Sequence, residues 1–327
     1  GFFTDQAEGA LNGVLGDYLH GRGNQLGFQM GLREGGDPLP VETDAIAAAH
    51  PQAGKRVCIF VHGLAATEWS WKLFATEYYG DRDVDFATQL ERDLGTTSFF
   101  VRFNSGRHVS ENGRELSCLV DRLVQQYPHP IEDLTLIGHS MGGLVVRSAA
   151  HHARVHGAGW LDRLDRIVCI GSPHMGAPLE QAVNVLSSVL GFFDLPGTQV
   201  PAEILNARSV GIKDLRFGYT VDEEWMGRDP DALWENNRLQ VEFVDHVAYY
   251  FVAGHVTADV EHPGAWMLGD LLVRLPSAGG VSKSRRMPFR FGKVFPNMTH
   301  LHLLNHPDVY ALVKQLCQGE FDRGGGE

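Results

Sequence analysis

The sequence predicts an α/β chain built on a mostly parallel, doubly wound sheet, and three observations carry that expectation. Short continuous apolar runs recur at residues 57–61, 98–103, 134–137, 166–170, 248–253 and, less regularly, 289–295, the pattern of strands buried on both faces. Helical segments separate them, so strand and helix alternate as in βαβ units. One stretch, residues 179–246, breaks the rhythm and reads as a cap inserted into a single domain, over the carboxyl ends of the strands where such sheets bind ligands.

Taken in order, residues 5–19 set Leu11, Val14, Leu15 and Tyr18 at helical spacing, which predicts a short amphipathic helix. Leu26, Phe28, Met30 and Leu32 then alternate with Gly27, Gln29, Gly31 and Arg33. That period of two predicts a strand, ended by the turn signal Gly35-Gly36-Asp37-Pro38. Between the runs at 98–103 and 134–137, one helical face is marked by Leu116, Leu119, Val120, Leu123, Val124 and Tyr127. Ser110 or Asn112 is its expected N-cap. Inside the cap, residues 183–193 are amphipathic. A last helix is expected from Pro307, with Val309, Leu312, Val313 and Leu316 on one face.

Composition narrows the function. With 43% hydrophobic and 21% charged residues in 327, the chain can bury a large core and carries no disorder signature. A net charge of -12 argues against nucleic acid, which needs clustered cations to displace counterions. Cys58, Cys118, Cys169 and Cys317 are far apart without CxxC spacing, so neither a zinc site nor a redox motif is expected, and Cys58 and Cys169 read as small buried hydrophobes. No apolar run is long enough for a membrane span, and no basic-then-apolar leader is visible. A cytoplasmic location is therefore favoured, with processing left open by the start at Gly1.

The chemistry is concentrated in Gly138-His139-Ser140-Met141-Gly142-Gly143, between an apolar strand and a helical pattern. A strand-to-helix turn this tight needs small residues at 138 and 142, and it raises the Ser140 hydroxyl above the sheet as a nucleophile elbow of the α/β-hydrolase fold. The helix N-terminus adds a positive dipole end where negative charge develops. A serine nucleophile needs a base and an orienting acid, in the chain order Ser, Asp or Glu, His. His300, His302 and His306 all fall between the last strand and the last helix, where the base is expected, although His306 also suits a helix-capping role. For the acid, Asp259 and Asp270 both follow the 248–253 run, and Asp270, in GDLLV, is preferred. The oxyanion donors are expected to be the backbone amides of Met141 and of Leu64, in the His62-Gly63-Leu64 loop after the 57–61 run. His62 itself is expected to shape that loop.

Several segments together resemble the lipase-like α/β-hydrolases related to the GPI inositol-deacylases, with bacterial esterase and lipase members. They are LNGVLGDYL at 11–19, RFNSGRHVSENGREL at 102–116, GHSMGGLVVRSA at 138–149 and GSPHMGAPLE at 171–180. RSVGIKDLRFG at 208–218 and HLHLLNHPDVY at 300–310 extend the likeness to bacterial members. The resemblance implies that His300, which opens an HxxLL-type segment, is the base. It also implies that Asp270, in place of a GDGLVP-like segment, is the acid, with Leu271 and Arg274 where the family has Gly and Pro. It implies, too, that His174 shapes the loop after its strand.

The leading expectation is therefore carboxylic ester hydrolysis of a small ester or lipid through Ser140, His300 and Asp270, with Leu64 and Met141 as oxyanion hole and no metal or organic cofactor. Acyl transfer to an alcohol by the same residues, and a silent lipid-binding protein, are the alternatives. The segment at 183–193 would be a mobile lid or plain core packing, and Arg102, Arg107 and His108 would touch a substrate headgroup or brace their own loop.

Overall fold

The computed structural model describes residues 2–177, 209–228, 238–257, 270, 273, 275–282 and 285–321. The N-terminal hairpin β1 (Gly31–Glu34) and β2 (Asp37–Leu39) lies at one edge of the sheet. The apolar runs become β3 (Arg56–Val61), β4 (Thr97–Arg102), β5 (Asp133–His139), β6 (Leu164–Ile170) and β7 (Ala248–His255). A separate two-stranded ribbon, β8 (Val281–Ser282) and β9 (Arg285–Arg286), precedes β10 (Phe291–Pro296). The eight-stranded sheet runs β10-β7-β6-β5-β3-β4-β1-β2, parallel except where β1 meets β2 and β4. This is the doubly wound α/β-hydrolase arrangement that the sequence predicts.

The helices are α1 (Phe2–Gly21), α2 (Thr43–Ala49), α3 (Ala75–Tyr79), α4 (Phe86–Leu94), α5 (Val109–Gln126), α6 (Met141–His156), α7 (Val210–Phe217) and α8 (Pro307–Cys317). Phe60, Val61, Phe99, Val101, Leu134, Leu136, Val168 and Tyr250 are wholly buried on the strands, and Leu116, Leu123, Leu144, Val145 and Val313 close the core from the helices. Cys58, Cys169 and Cys317 are buried free thiols and Cys118 is an exposed one. Among the described residues no helix is long and apolar enough to cross a membrane. Residues 183–193 of the predicted cap lie outside the described residues, whereas α7 of that insertion is described.

Three local expectations are corrected. The alternation over 26–33 yields a strand only at Gly31–Glu34, because Asn12 of α1 intercepts the preceding backbone. Its side-chain amide donates to the Leu26 carbonyl (2.8 Å), and its oxygen accepts the Phe28 N–H (2.8 Å). Tyr18 does not join the buried face of α1. It is 56% exposed with Arg22 over its ring, while Ala10, Val14 and Leu19 face inward. Neither Ser110 nor Asn112 caps α5: the helix starts at Val109, whose N–H is received by the Asp214 carboxylate of α7 at 2.8 Å. A carboxylate brought from afar satisfies the orphan amide and the dipole at once. Ser110 donates instead to Asp222 (2.6 Å), and Asn112 to the Asn104 carbonyl (2.9 Å).

The charged residues after β4 brace the molecule. Arg102 is 4% exposed, pairs with Glu68 through two hydrogen bonds and with Asp5 of α1 at 3.1 Å, and lies over the Phe28 ring. Arg107 pairs with Glu111 and Glu115, and His108 is held between Asp214 (3.0 Å) and the face of Trp225. Removing one member of a buried ion cluster strands its partners, which costs about 3–5 kcal/mol. Arg102→Leu is expected to lower the urea unfolding free energy by that amount, and Arg102→Met with Glu68→Met to recover part of it. An Arg102→Leu protein as stable as the parent would show that the cluster contributes nothing net.

Candidate active site

The parallel register aligns the carboxyl ends of the central strands. Val61 of β3 sits opposite Gly138 of β5, and His139 of β5 opposite Ile170 of β6, so the loops that follow converge on one edge. Ser140 is the hinge residue there. Its backbone adopts φ 54° and ψ -121°, an unfavourable conformation for a side-chain-bearing residue, and its N–H is tied to the Ile170 carbonyl at 2.8 Å. The flanking glycines are dictated by contact. A Cβ on Gly142 would collide with the carbonyl oxygens of Val61 and His62, and one on Gly138 with the backbone of Gly142 and Gly143. Only with both positions bare can β5 turn directly into α6.

The loop after β3 comes alongside. A Cβ built on Gly63 would lie 3.0 Å from the Cβ of Ser140, so the chain passes within touching distance of the serine. The next residues are held from beneath: the Ala65 amide, at a φ of 58°, donates to Ser105 Oγ at 3.0 Å. His62 folds under the loop as expected. Its Nδ1–H donates to the Gly63 carbonyl (2.9 Å), its Nε2 accepts the Phe103 N–H (3.3 Å), and its ring stacks on Phe103. Leu64 thus borders the same cleft as Ser140, and Met141 is the first residue of α6, where a helix has spare amides.

Of the three candidate bases, His300 is the one that meets Asp270. His300 Nδ1 lies 2.7 Å from Asp270 Oδ2, both side chains being almost wholly buried, and the His300 amide also reaches the Asp270 carbonyl at 3.2 Å. Asp270 is oriented locally, because its other oxygen accepts the Val273 N–H at 2.7 Å. With Nδ1–H given to the carboxylate, His300 Nε2 presents a lone pair. It is buried without a hydrogen-bond partner among the described residues, in a ring that borders the cleft with Ser140. His302 is engaged by Thr299 (2.9 Å) and packs on Phe74, and His306 caps α8 by accepting the Asp308 N–H at 3.1 Å. His246 meets the Leu161 carbonyl, while Asp259, Leu271 and Arg274 lie outside the described residues. His174 accepts from Arg147 through Nδ1 at 3.1 Å and shapes the loop after β6.

Two contributors were not singled out from the sequence. His139, immediately before the serine, has its ring 4.6 Å from that of His300 and donates from Nε2 to the His300 carbonyl at 3.2 Å, tying the last loop to β5. Its place inside the glycine-serine motif was the available signal. Ser105, which supports Ala65, sits in the RFNSG segment and has no periodicity to mark it. Among the described residues, no group of three His, Cys, Asp or Glu side chains is arranged to hold a metal ion.

Burial drives His62 down to about 3, and it takes His139 and His174 well below the ordinary 6.5. The charge of Arg147 adds to the shift at His174. All three are neutral in the folded protein and take up a proton near 6.5 once unfolded. The unfolded chain therefore binds more protons below that value, so stability is present above about 6.5 and lost as the pH falls towards 3. Each such histidine contributes a slope of up to about 1.4 kcal/mol per pH unit. Urea titrations are expected to show the protein at least about 2 kcal/mol less stable at pH 5 than at pH 7. A flat profile over that interval would contradict the neutral assignments.

Residues 52–241 match the family described as PGAP1-like alpha/beta domain. Among solved structures, the mature lipase BlEst2 of Bacillus licheniformis is 18% identical over 80% of this chain and 91% of its own, with a TM-score of 0.51. A lipase-esterase related protein from Clostridium acetobutylicum is 13% identical over 82% of this chain and 95% of its own, with a TM-score of 0.45. No curated protein matches the sequence. The matched segment spans more than half of the chain, including the Ser140 elbow and the loop after β3, and the chain belongs to the PGAP1-like alpha/beta domain family of α/β-hydrolases.

Proposed function

We propose that the protein is a serine ester hydrolase that works through an acyl-enzyme. The observation that supports this reading best is the buried His300–Asp270 pair, 2.7 Å apart, whose free imidazole nitrogen borders the same cleft as Ser140 on its strained elbow. A structural serine would not need a left-handed backbone between two crowded glycines. The name of the Bacillus licheniformis relative, a lipase, points the same way.

In this mechanism Ser140 Oγ attacks the ester carbonyl carbon while His300 Nε2 removes the hydroxyl proton. The carbonyl electron pair moves onto oxygen, which the Leu64 and Met141 amides receive. Asp270 keeps the imidazole in the right tautomer and stabilises it when charged. As the C–O bond to the alcohol breaks, His300 returns its proton to the leaving oxygen, and the acyl group remains on Ser140. Water activated by the same histidine then attacks, the Ser140 ester breaks, and a carboxylic acid leaves.

Purified parent protein is expected to hydrolyse p-nitrophenyl esters and to form a fluorophosphonate adduct. Ser140→Ala should lose both, and Asp270→Asn, which keeps the shape but supplies the wrong tautomer, should lower kcat about ten-thousandfold. An Ser140→Ala protein as active as the parent would refute the assignment, and parent protein inert to both reagents would refute the hydrolase itself.

A further inference from the structure

Helix α1 lies against the loops that follow β3 and β4, on the side of the site where Leu64 stands. Gly9, Gly13 and Gly16 are buried, as are Asn12 and Val14 of the same helix. A Cβ added at Gly13 would lie 2.6 Å from the Cβ, 2.7 Å from the Cα and 3.0 Å from the nitrogen of Ala65. One added at Gly9 would lie 2.9 Å from Thr67 Cγ2 and 3.1 Å from the Ala66 oxygen. At these two positions the helix backbone therefore rests directly on the chain of residues 65–67. Gly16 is joined to the second loop, since its carbonyl accepts from Asn104 Nδ2 at 2.9 Å, and the next residue, Ser105, is the one that holds the Ala65 amide.

The contact falls one position after Leu64, whose amide receives the oxyanion in the mechanism above. Ala65 has little freedom to absorb a push. It is wholly buried, sits at a φ of 58° and gives its N–H to Ser105 Oγ at 3.0 Å. The helix is anchored along its length. Asp5 accepts from Trp69 Nε1 at 2.9 Å and pairs with Arg102 at 3.1 Å, the Gly13 carbonyl accepts the Ser209 hydroxyl at 2.7 Å, and Asp17 accepts the Val210 N–H at 3.0 Å. Extra bulk at position 13 is consequently relieved at the loop, and the Leu64 amide moves with it.

We propose that α1 sets the position of the oxyanion hole, with Gly13 as the positioning residue that lets the helix reach Ala65. The inference rests on the ester-hydrolase reading and adds to it an element outside the cleft. An oxyanion donor acts on charge that exists only in the transition state, so its displacement lowers kcat and leaves substrate binding in place. A misplacement of about 1 Å caused by a remote change can cost about a hundredfold in rate. Alanine is a better helix former than glycine, so a loss of activity in Gly13→Ala cannot be assigned to a weaker α1.

The test measures kcat and KM for p-nitrophenyl acetate in the parent, Gly13→Ala, Gly9→Ala and Gly21→Ala, with circular dichroism supplying the folded fraction by which each kcat is divided. Gly21, at the end of α1, has nothing within 4 Å of an added Cβ, and its variant is expected to match the parent. Gly13→Ala should lower kcat about ten- to a hundredfold with KM little changed. It should weaken inhibition by a trifluoromethyl ketone, whose hemiketal oxyanion needs the same amides, by a similar factor. Gly9→Ala meets a side-chain methyl first, so it should show a smaller loss of the same kind, and it keeps the test open if Gly13→Ala does not fold. Three results would each overturn the proposal while leaving the hydrolase standing: Gly13→Ala with the parent's kcat per folded molecule, a loss carried by KM with the ketone's affinity intact, or, where Gly13→Ala does not fold, Gly9→Ala with the parent's kcat. Parent protein that turns over no ester and takes up no fluorophosphonate would remove the hydrolase reading and this inference with it.

Discussion

The backbone of Ser140 is held where an L-residue does not rest by itself, and most of the molecule can be understood as what keeps it there. The penalty for such a conformation is about 1–3 kcal/mol, sustained only where the surroundings leave no alternative. Those surroundings are specific. β6 takes the serine amide through Ile170, β3 presses its last two carbonyls against Gly142, and α6 begins at once behind the turn. Strands neighbouring β5 on both sides thus fix the same turn, which explains why the elbow sits in the middle of the sheet and not at an edge, where one of these restraints would be missing.

The remaining parts of the site are joined to that centre by short tethers. His139 links β5 to the His300 loop, Ser105 supports the Leu64–Ala65 loop from the segment after β4, and the Gly171 turn after β6 packs directly under the His300 ring. Each tether begins at the end of a different strand and finishes on one of two loops, that of His300 or that of Leu64. Loops tied in this way can place side chains with the precision of the sheet, although they carry no regular structure themselves.

How much of this was legible depended on whether the signal was local. The β3 and β5–β7 runs, the elbow and the helix after Pro307 are written in contiguous residues, and periodicity with turn chemistry was sufficient to read them. The base was not separable by spacing from its neighbours at 302 and 306. The likeness of HLHLLNHPDVY to a known family favoured His300, and the structure shows the physical difference: one imidazole faces Asp270, another packs on Phe74, and the third caps α8. Two of the three failures have a common cause. Residues 26–30 alternate like a strand but are claimed by Asn12, fourteen or more positions away in sequence, and the α5 cap comes from Asp214, 105 positions on. Side chains that satisfy backbone across such separations leave no trace in a local window.

The Asp214 contact has a consequence for how the chain could change. The first turn of α5 is completed by a carboxylate from α7, as Ser110 and Arg114 of the same helix are engaged by Asp222 a little further along. α5 in turn lies along α6, the helix that Ser140 begins. The segment that carries α7 is consequently not an interchangeable module: replacing residues 209–228 by an unrelated piece would leave the Val109 amide of α5 without its carboxylate and His108 without its hydrogen-bond partner. A change that removed either carboxylate would therefore be felt at the start of α5, and through α5 along the helix that Ser140 begins.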